Sequence, residues 1–144
     1  MKIAMGCDHG GFELKEKIKK HLEDKGIRVT DKGCYSKDSV DYPVFAHAAA
    51  KEVADGNCDY GIVICTTGIG ISIAANKVPG VRCALCTDSL QAKMTKLHND
   101  ANVLALGAGI VGENLALNIV DVFLETPFSG EERHARRVKQ IEEI

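Results

Sequence analysis

The sequence has no apolar run approaching the roughly 20 residues that a bilayer-spanning helix needs. Its charge is not lopsided either, with 18 Lys and Arg against 20 Asp and Glu and a formal net charge of −2. The first absence removes a transmembrane helix and a membrane partner from the expected picture. The second removes a global attraction for nucleic acid. No signal peptide is expected either, since the chain opens directly on strand-like Lys2-Ile3-Ala4-Met5. The six cysteines (Cys7, Cys34, Cys58, Cys65, Cys83 and Cys86) are therefore expected as free thiols in a reducing, cytoplasmic setting. Cys83 and Cys86 make a C-x-x-C, but in a strand residues three apart point to opposite faces, so neither a redox pair nor a zinc site is expected there. Tryptophan is absent, and no internal repeat, low-complexity tract or Pro/Ser-rich linker divides the chain.

What is present is the composition of one globular domain spanning 1–144: 15.5 kDa, 45% hydrophobic and 26% charged. A domain of this size buries roughly 70% of its unfolded surface and needs no disulfide or structural metal. Apolar β-rich runs recur at Lys2–Cys7, Ile27–Lys32, Tyr60–Cys65, Arg82–Thr87 and Val103–Gly107, mostly separated by stretches of helical spacing. In the first such stretch Phe12, Leu14, Ile18 and Leu22 stand among Lys and Glu until Asp24-Lys25-Gly26 ends it. Near-continuous strands such as Gly61-Ile-Val-Ile-Cys65 suit a parallel sheet covered on both faces. The fold class is therefore α/β, a three-layer α/β/α sandwich around five parallel strands. Ligands in such sheets bind beyond the strands' carboxyl ends. A polar C-terminal helix, about 131–144, has few apolar positions and is expected at an edge or on a partner subunit.

Four segments could carry chemistry. Cys65-Thr66-Thr67-Gly68-Ile69-Gly70-Ile71-Ser72 joins a strand to a helix read as Ile73–Lys77. Its glycines let the backbone approach a ligand, and free N–H groups there can stabilise developing negative charge. A thiol beside such amides can act as base or nucleophile, although Cys65 could equally be a small buried hydrophobe. The segment has neither G-x-x-x-x-G-K-[ST] nor G-x-G-x-x-G spacing, and no nucleotide cofactor is expected. Gly6-Cys7-Asp8-His9-Gly10-Gly11 sets a carboxylate beside an imidazole, or simply uses Asp8 as a helix cap. His98-Asn99-Asp100 follows a helix read as Leu90–Leu97 and offers either a general acid–base or a capping residue. Arg133 and Arg137, four apart on a helix with His134 between them, match a phosphate or form a solvated face.

Taken together, Gly6-Cys-Asp-His9, Asp41-Tyr-Pro43, Cys65-x-Thr67-Gly-x-Gly-x-Ser72 with Ile73-Ala-Ala-Asn-Lys77, His98-Asn-Asp100 and Arg133-His-x-x-Arg137 resemble the ribose-5-phosphate isomerase B family, which includes allose and galactose 6-phosphate isomerases. The resemblance runs nearly end to end. It implies a Rossmann-like aldose–ketose isomerase without metal or cofactor, working as a homodimer or dimer of dimers with the active site at the subunit interface. It makes Cys65 the base moving a proton between C2 and C1, and Thr67 a relay between O1 and O2. The backbone from Thr67 to Ser72, including Gly68 and Gly70, then meets the enediolate. Asp8 and His98 resemble the residues that open the sugar ring. His9, Arg133, His134 and Arg137 resemble the phosphate ligands, and Asn99 contacts sugar hydroxyls.

Two positions depart from the family's pattern. Thr66 stands where many members have Gly, and Gly109 stands where many carry an Arg. The expected reaction is ribose 5-phosphate to ribulose 5-phosphate. The alternatives are a hexose 6-phosphate substrate or a non-catalytic sugar-phosphate-binding subunit.

Overall fold

A computed structural model describes residues 1–144. The chain alternates β1 (Lys2–Cys7), α1 (Phe12–Asp24), β2 (Arg28–Asp31), α2 (Tyr42–Ala54), β3 (Tyr60–Cys65), α3 (Ile69–Ala75), β4 (Cys83–Leu85), α4 (Ser89–Asn99), β5 (Val103–Gly107), α5 (Glu113–Glu125) and α6 (Glu132–Glu142), with a 3-10 turn at His9–Gly11. All strands pair in parallel, in the order β2-β1-β3-β5-β4. The expected α/β/α sandwich with five parallel strands is what forms. No helix is long and apolar enough to cross a membrane.

Strand alternation sorts the core into two layers. Ile62 and Ile64 join Ile3, Met5, Leu104, Leu106 and Phe123 on one face, with Ile18 and Leu22 of α1. Val63 and Cys65 face the other way, onto Ala46, Ala49, Ala50, Ile71 and Ala75. Each fully buried Ile or Leu stabilises the fold by roughly 1.5–3 kcal/mol. The second layer uses alanine because α2 lies close to the sheet: a β-carbon built on Gly6 would fall 2.5 Å from the Phe45 carbonyl oxygen. Cys83 packs against this second layer and Cys86 belongs to the first, so the C-x-x-C sulfurs face opposite sides as the strand period requires.

β4 and α3 differ most from the sequence reading, each for a local reason. β4 is confined to Cys83–Leu85 because the next residues cap α4: Asp88 Oδ1 accepts the Gln91 N–H at 2.7 Å while Gln91 Oε1 accepts the Thr87 N–H at 2.6 Å. α3 starts at Ile69 rather than Ile73, because Gly68 turns the chain at once with φ of 78°. α6 covers Glu132–Glu142 and leans on α4 of its own chain through His134, its one buried residue.

The loop after β1 is braced from beneath. Lys15 is fully buried, donating to Asp31 Oδ1 and to the Cys34 carbonyl, both at 2.7 Å. Burial alone would raise the Asp31 carboxyl, but the Lys15 ammonium and the Gly33 N–H outweigh it and hold the group below its usual range. Gly33 and Cys34 in turn pair with the backbone of Cys7, next to Asp8. Burial and the neighbouring Cys34 thiol push Cys7 up to about 12, which keeps it a neutral filler rather than a nucleophile.

Candidate active site

The strand order reverses between β1 and β3, since β1 leads outward to β2 while β3 leads to β5 and β4. A crevice at the carboxyl ends of these two strands is the expected ligand position. Register brings their ends level, Cys7 opposite Ile64 and Cys65 opposite Gly107. Asp8 donates its N–H to the Ile64 carbonyl, and its Oδ1 accepts the Gly11 N–H at 3.1 Å. The carboxylate is thus both a cap and a fixture of the crevice. His9 is exposed, and its Nδ1 accepts the Val40 N–H at 3.2 Å, which leaves the proton on Nε2 to face outward.

Cys65 is buried at the end of β3, and its sulfur accepts the Gly68 N–H at 3.1 Å. A β-carbon at Gly68 would fall 2.5 Å from Leu85 Cδ1 and 2.8 Å from the Leu106 carbonyl carbon, so only glycine fits the turn. Thr67 Oγ1 accepts the Ile69 N–H at 3.2 Å. Ser72 departs from the expectation that the backbone through residue 72 faces a ligand: its N–H donates to the Gly68 carbonyl and its hydroxyl to the Ile69 carbonyl. The amides of Gly70 and Ile71, at the first turn of α3, have no acceptor within the chain. They are the donors available for an oxyanion.

His98, Asn99, Arg133, His134 and Arg137 gather elsewhere, lining a cleft of about 440 Å³ with Val138 and Ile141. His98 and His134 stack with ring centroids 4.4 Å apart. His134 Nδ1 meets Ser129 Oγ at 2.7 Å, and Arg133 Nε donates to His134 Nε2 at 3.4 Å. Burial, then the adjacent His98 and Arg133, lower the His134 imidazole below its ordinary value, in accord with a neutral ring whose Nε2 accepts. A larger groove of about 700 Å³ runs beside this cleft between Asn76 and Ala84, but of the expected site residues it holds only Asn99.

These two clusters lie at opposite ends of the sheet. α4 runs back from the carboxyl end of β4, about 16 Å in 11 residues, to the point where β5 begins. From Val103 to Gly107, opposite Cys65, is a further four steps of strand, about 13 Å. One chain therefore joins Asp8, His9, Cys65, Thr67, Gly68 and Gly70 at its carboxyl edge, and His98, Asn99, Arg133, His134 and Arg137 at its amino edge.

Three features are missing from the sequence reading. Tyr42, in the Asp41-Tyr-Pro43 motif, covers the bare face of Gly70, where a β-carbon would lie 2.7 Å from the ring's Cζ. Arg82 holds the amino-edge cluster together: Nε and Nη2 donate to the Asp100 carbonyl, Nε also to that of Asn99, and Nη1 binds Glu142 at 2.6 Å. A G-x-G-x-x-G spacing does occur at Gly107-Ala108-Gly109-Ile110-Val111-Gly112. It lacks the dinucleotide context, because α5 leads to α6 and not to a further strand, and Gly107 and Gly109 serve close packing on Thr67 and Thr66.

A family profile described as Ribose/Galactose Isomerase matches residues 3–141. Ribose-5-phosphate isomerase B of Escherichia coli is 49% identical over 143 residues, covering 99% of this chain and 95% of the relative. Galactose-6-phosphate isomerase subunit LacB of Clostridium acetobutylicum is 43% identical over 144 residues, covering 100% and 83%. Among solved structures, ribose-5-phosphate isomerase B of Clostridium thermocellum superposes with a TM-score of 0.98 at 55% identity, covering 99% of this chain and 96% of that one. The Mycoplasma genitalium enzyme with bound ribulose-5-phosphate gives 0.92 at 40% identity, covering 98% and 93%. The chain is therefore a member of the ribose/galactose isomerase family.

Proposed function

We propose that the chain interconverts ribose 5-phosphate and ribulose 5-phosphate through an enediolate, in active sites each built from two copies of the chain. The observation that carries the reading is the buried Cys65 sulfur, which takes the Gly68 N–H at 3.1 Å beside the unengaged amides of Gly70 and Ile71. Ribose 5-phosphate rests as a ring, so Asp8 and His98 exchange the two protons of ring opening, one taken from the anomeric hydroxyl and one given to the ring oxygen. The Cys65 thiolate then removes the C2 proton, and the electron pair moves onto the carbonyl oxygen. Thr67 passes a proton between O2 and O1, and the thiol returns its proton to C1. Both electrons stay on the sugar, so the step needs no metal or redox cofactor. Donors aimed at such an oxyanion are each worth about 3–4 kcal/mol in other enzymes.

His9, Arg133, His134 and Arg137 hold the phosphate and Asn99 a sugar hydroxyl. Because Cys65 and His98 lie at opposite edges of one chain, a partner subunit supplies the second cluster. Exposed apolar pairs at one-turn spacing, Ile69 with Ile73 on α3 and Leu90 with Met94 on α4, suit burial against that partner. Six free thiols suit a reducing cytoplasm.

The lack of a cationic side chain at Gly109 and the similarity to a galactose-6-phosphate isomerase subunit favour a hexose 6-phosphate as second reading. Turnover on ribose 5-phosphate, allose 6-phosphate and galactose 6-phosphate decides: the highest kcat/KM is expected on the pentose. Turnover confined to a hexose phosphate would select the second reading, and none on any of the three would sink both.

A further inference from the structure

Two lysines are fully buried, and they are partnered differently. Lys15 has a carboxylate, Asp31 Oδ1 at 2.7 Å. Lys96, in the last turn of α4, has none: its ammonium lies 3.9 Å from the centre of the Tyr60 ring and 5.0 Å from that of Phe123, and its one hydrogen bond runs to the Ala101 carbonyl at 3.3 Å. Aromatic faces attract a cation, but a charge taken wholly out of water without a counter-charge is costly, and a methionine would fill the same space without that cost. Stability therefore gives no reason for an ammonium here, and the reason lies in what it holds.

Ala101 ends the turn that leads from α4 to β5. Asp100, the one non-glycine residue with positive φ (45°), makes this turn, and its N–H returns to the Thr95 carbonyl. The carbonyls after the helix are then taken in succession: Arg82 binds those of Asn99 and Asp100, and Lys96 binds that of Ala101 from the core side. Helix ends open locally more readily than helix middles, and His98 and Asn99 stand in this last turn. We infer that Lys96 is a positioning residue for the proposed reaction: by pinning the Ala101 carbonyl from within the core, it closes the turn after α4 and fixes His98 and Asn99 at the amino-edge cleft, a role that rests on the isomerase reading of that cleft. Arg133 and Arg137 stand on α6 and do not share the turn, so the grip on phosphate is set apart from it.

Lys96→Met removes the ammonium and keeps the core filled. Its melting temperature should equal or exceed that of the wild type, while kcat on ribose 5-phosphate falls about tenfold or more and the affinity for inorganic phosphate stays within about threefold. Lys96→Gln, of methionine's length but with an N–H to offer the carbonyl, should recover most of the lost kcat. In NMR spectra the imidazole signals of His98 should shift in Lys96→Met and return toward their wild-type positions in Lys96→Gln, while those of His47 on α2 stay in place. A methionine variant that is unfolded or markedly less stable, one with wild-type kcat, one that loses phosphate affinity as steeply as kcat, or a glutamine variant no better than it would each overturn the role. Turnover by the unmodified chain reports separately on the isomerase reading: if it converts no sugar phosphate, the His98 signals still decide whether Lys96 sets that residue, and signals that do not move would contradict it.

Discussion

Cys65 and His134 serve one proposed reaction from opposite edges of the sheet, and they are held in opposite ways. At the carboxyl edge the work is done by backbone: small residues, a left-handed Gly68, and amides aimed beside a buried sulfur. At the amino edge it is done by long cations and imidazoles on two helices, tied by Arg82 and by the His98–His134 stack. Charge that develops only in the transition state is best met by donors that cannot relax away from it. A phosphate, charged throughout, can be gripped by flexible side chains, and such binding lowers KM more than it raises kcat.

That comparison breaks most sharply at the base. Cys65→Ser keeps the size but replaces the thiol by a group far less acidic, and kcat should fall by roughly 10²–10⁴ with little change in affinity. A serine variant with near wild-type kcat would return Cys65 to the buried structural cysteines, leaving Asp8, His9 and His98 as the bases to examine. At the other edge, Arg137→Ala removes one charge-assisted contact, so KM should rise about tenfold or more while kcat changes less. Steady-state kinetics equal to wild type would show Arg137 to be a solvated charge.

A smaller effect concerns His134. Because its imidazole is lowered from 6.5 by burial and by His98 and Arg133, folding favours the neutral ring. The stability it contributes is complete above the ordinary value and is lost as pH falls through the lowered one. An NMR titration of its ring should give a midpoint below 6.5, moving upward in Arg133→Gln. An unshifted midpoint would mean that the amino-edge cluster is looser than the structure has it.

The sequence is most legible where physics is most repetitive. β1, β3 and β5 run where their apolar stretches run, because strands buried on both faces leave no other reading of Tyr60–Cys65 or Val103–Gly107. The start of α3 is not legible, since Gly68 can end a loop or open a helix and only its φ of 78° decides. Tyr42 escapes because its partner, the bare face of Gly70, lies on a different element, and Arg82 because its acceptors are backbone carbonyls at the end of α4. The site motifs are readable one by one. Their division between two edges is not, because it follows from strand order and from the direction of α4, neither of which periodicity encodes.

Mixing two inactive variants tests the shared site most directly. Cys65→Ser spoils the carboxyl-edge half and Arg137→Ala, with Arg133→Ala added to abolish activity, spoils the amino-edge half. If each site takes one half from each of two copies, then refolding an equal mixture gives mixed dimers with one intact site of two, and about a quarter of wild-type activity should return. A mixture as inactive as its components, while gel filtration shows that mixed dimers have formed, would contradict the account and place the whole site within one chain.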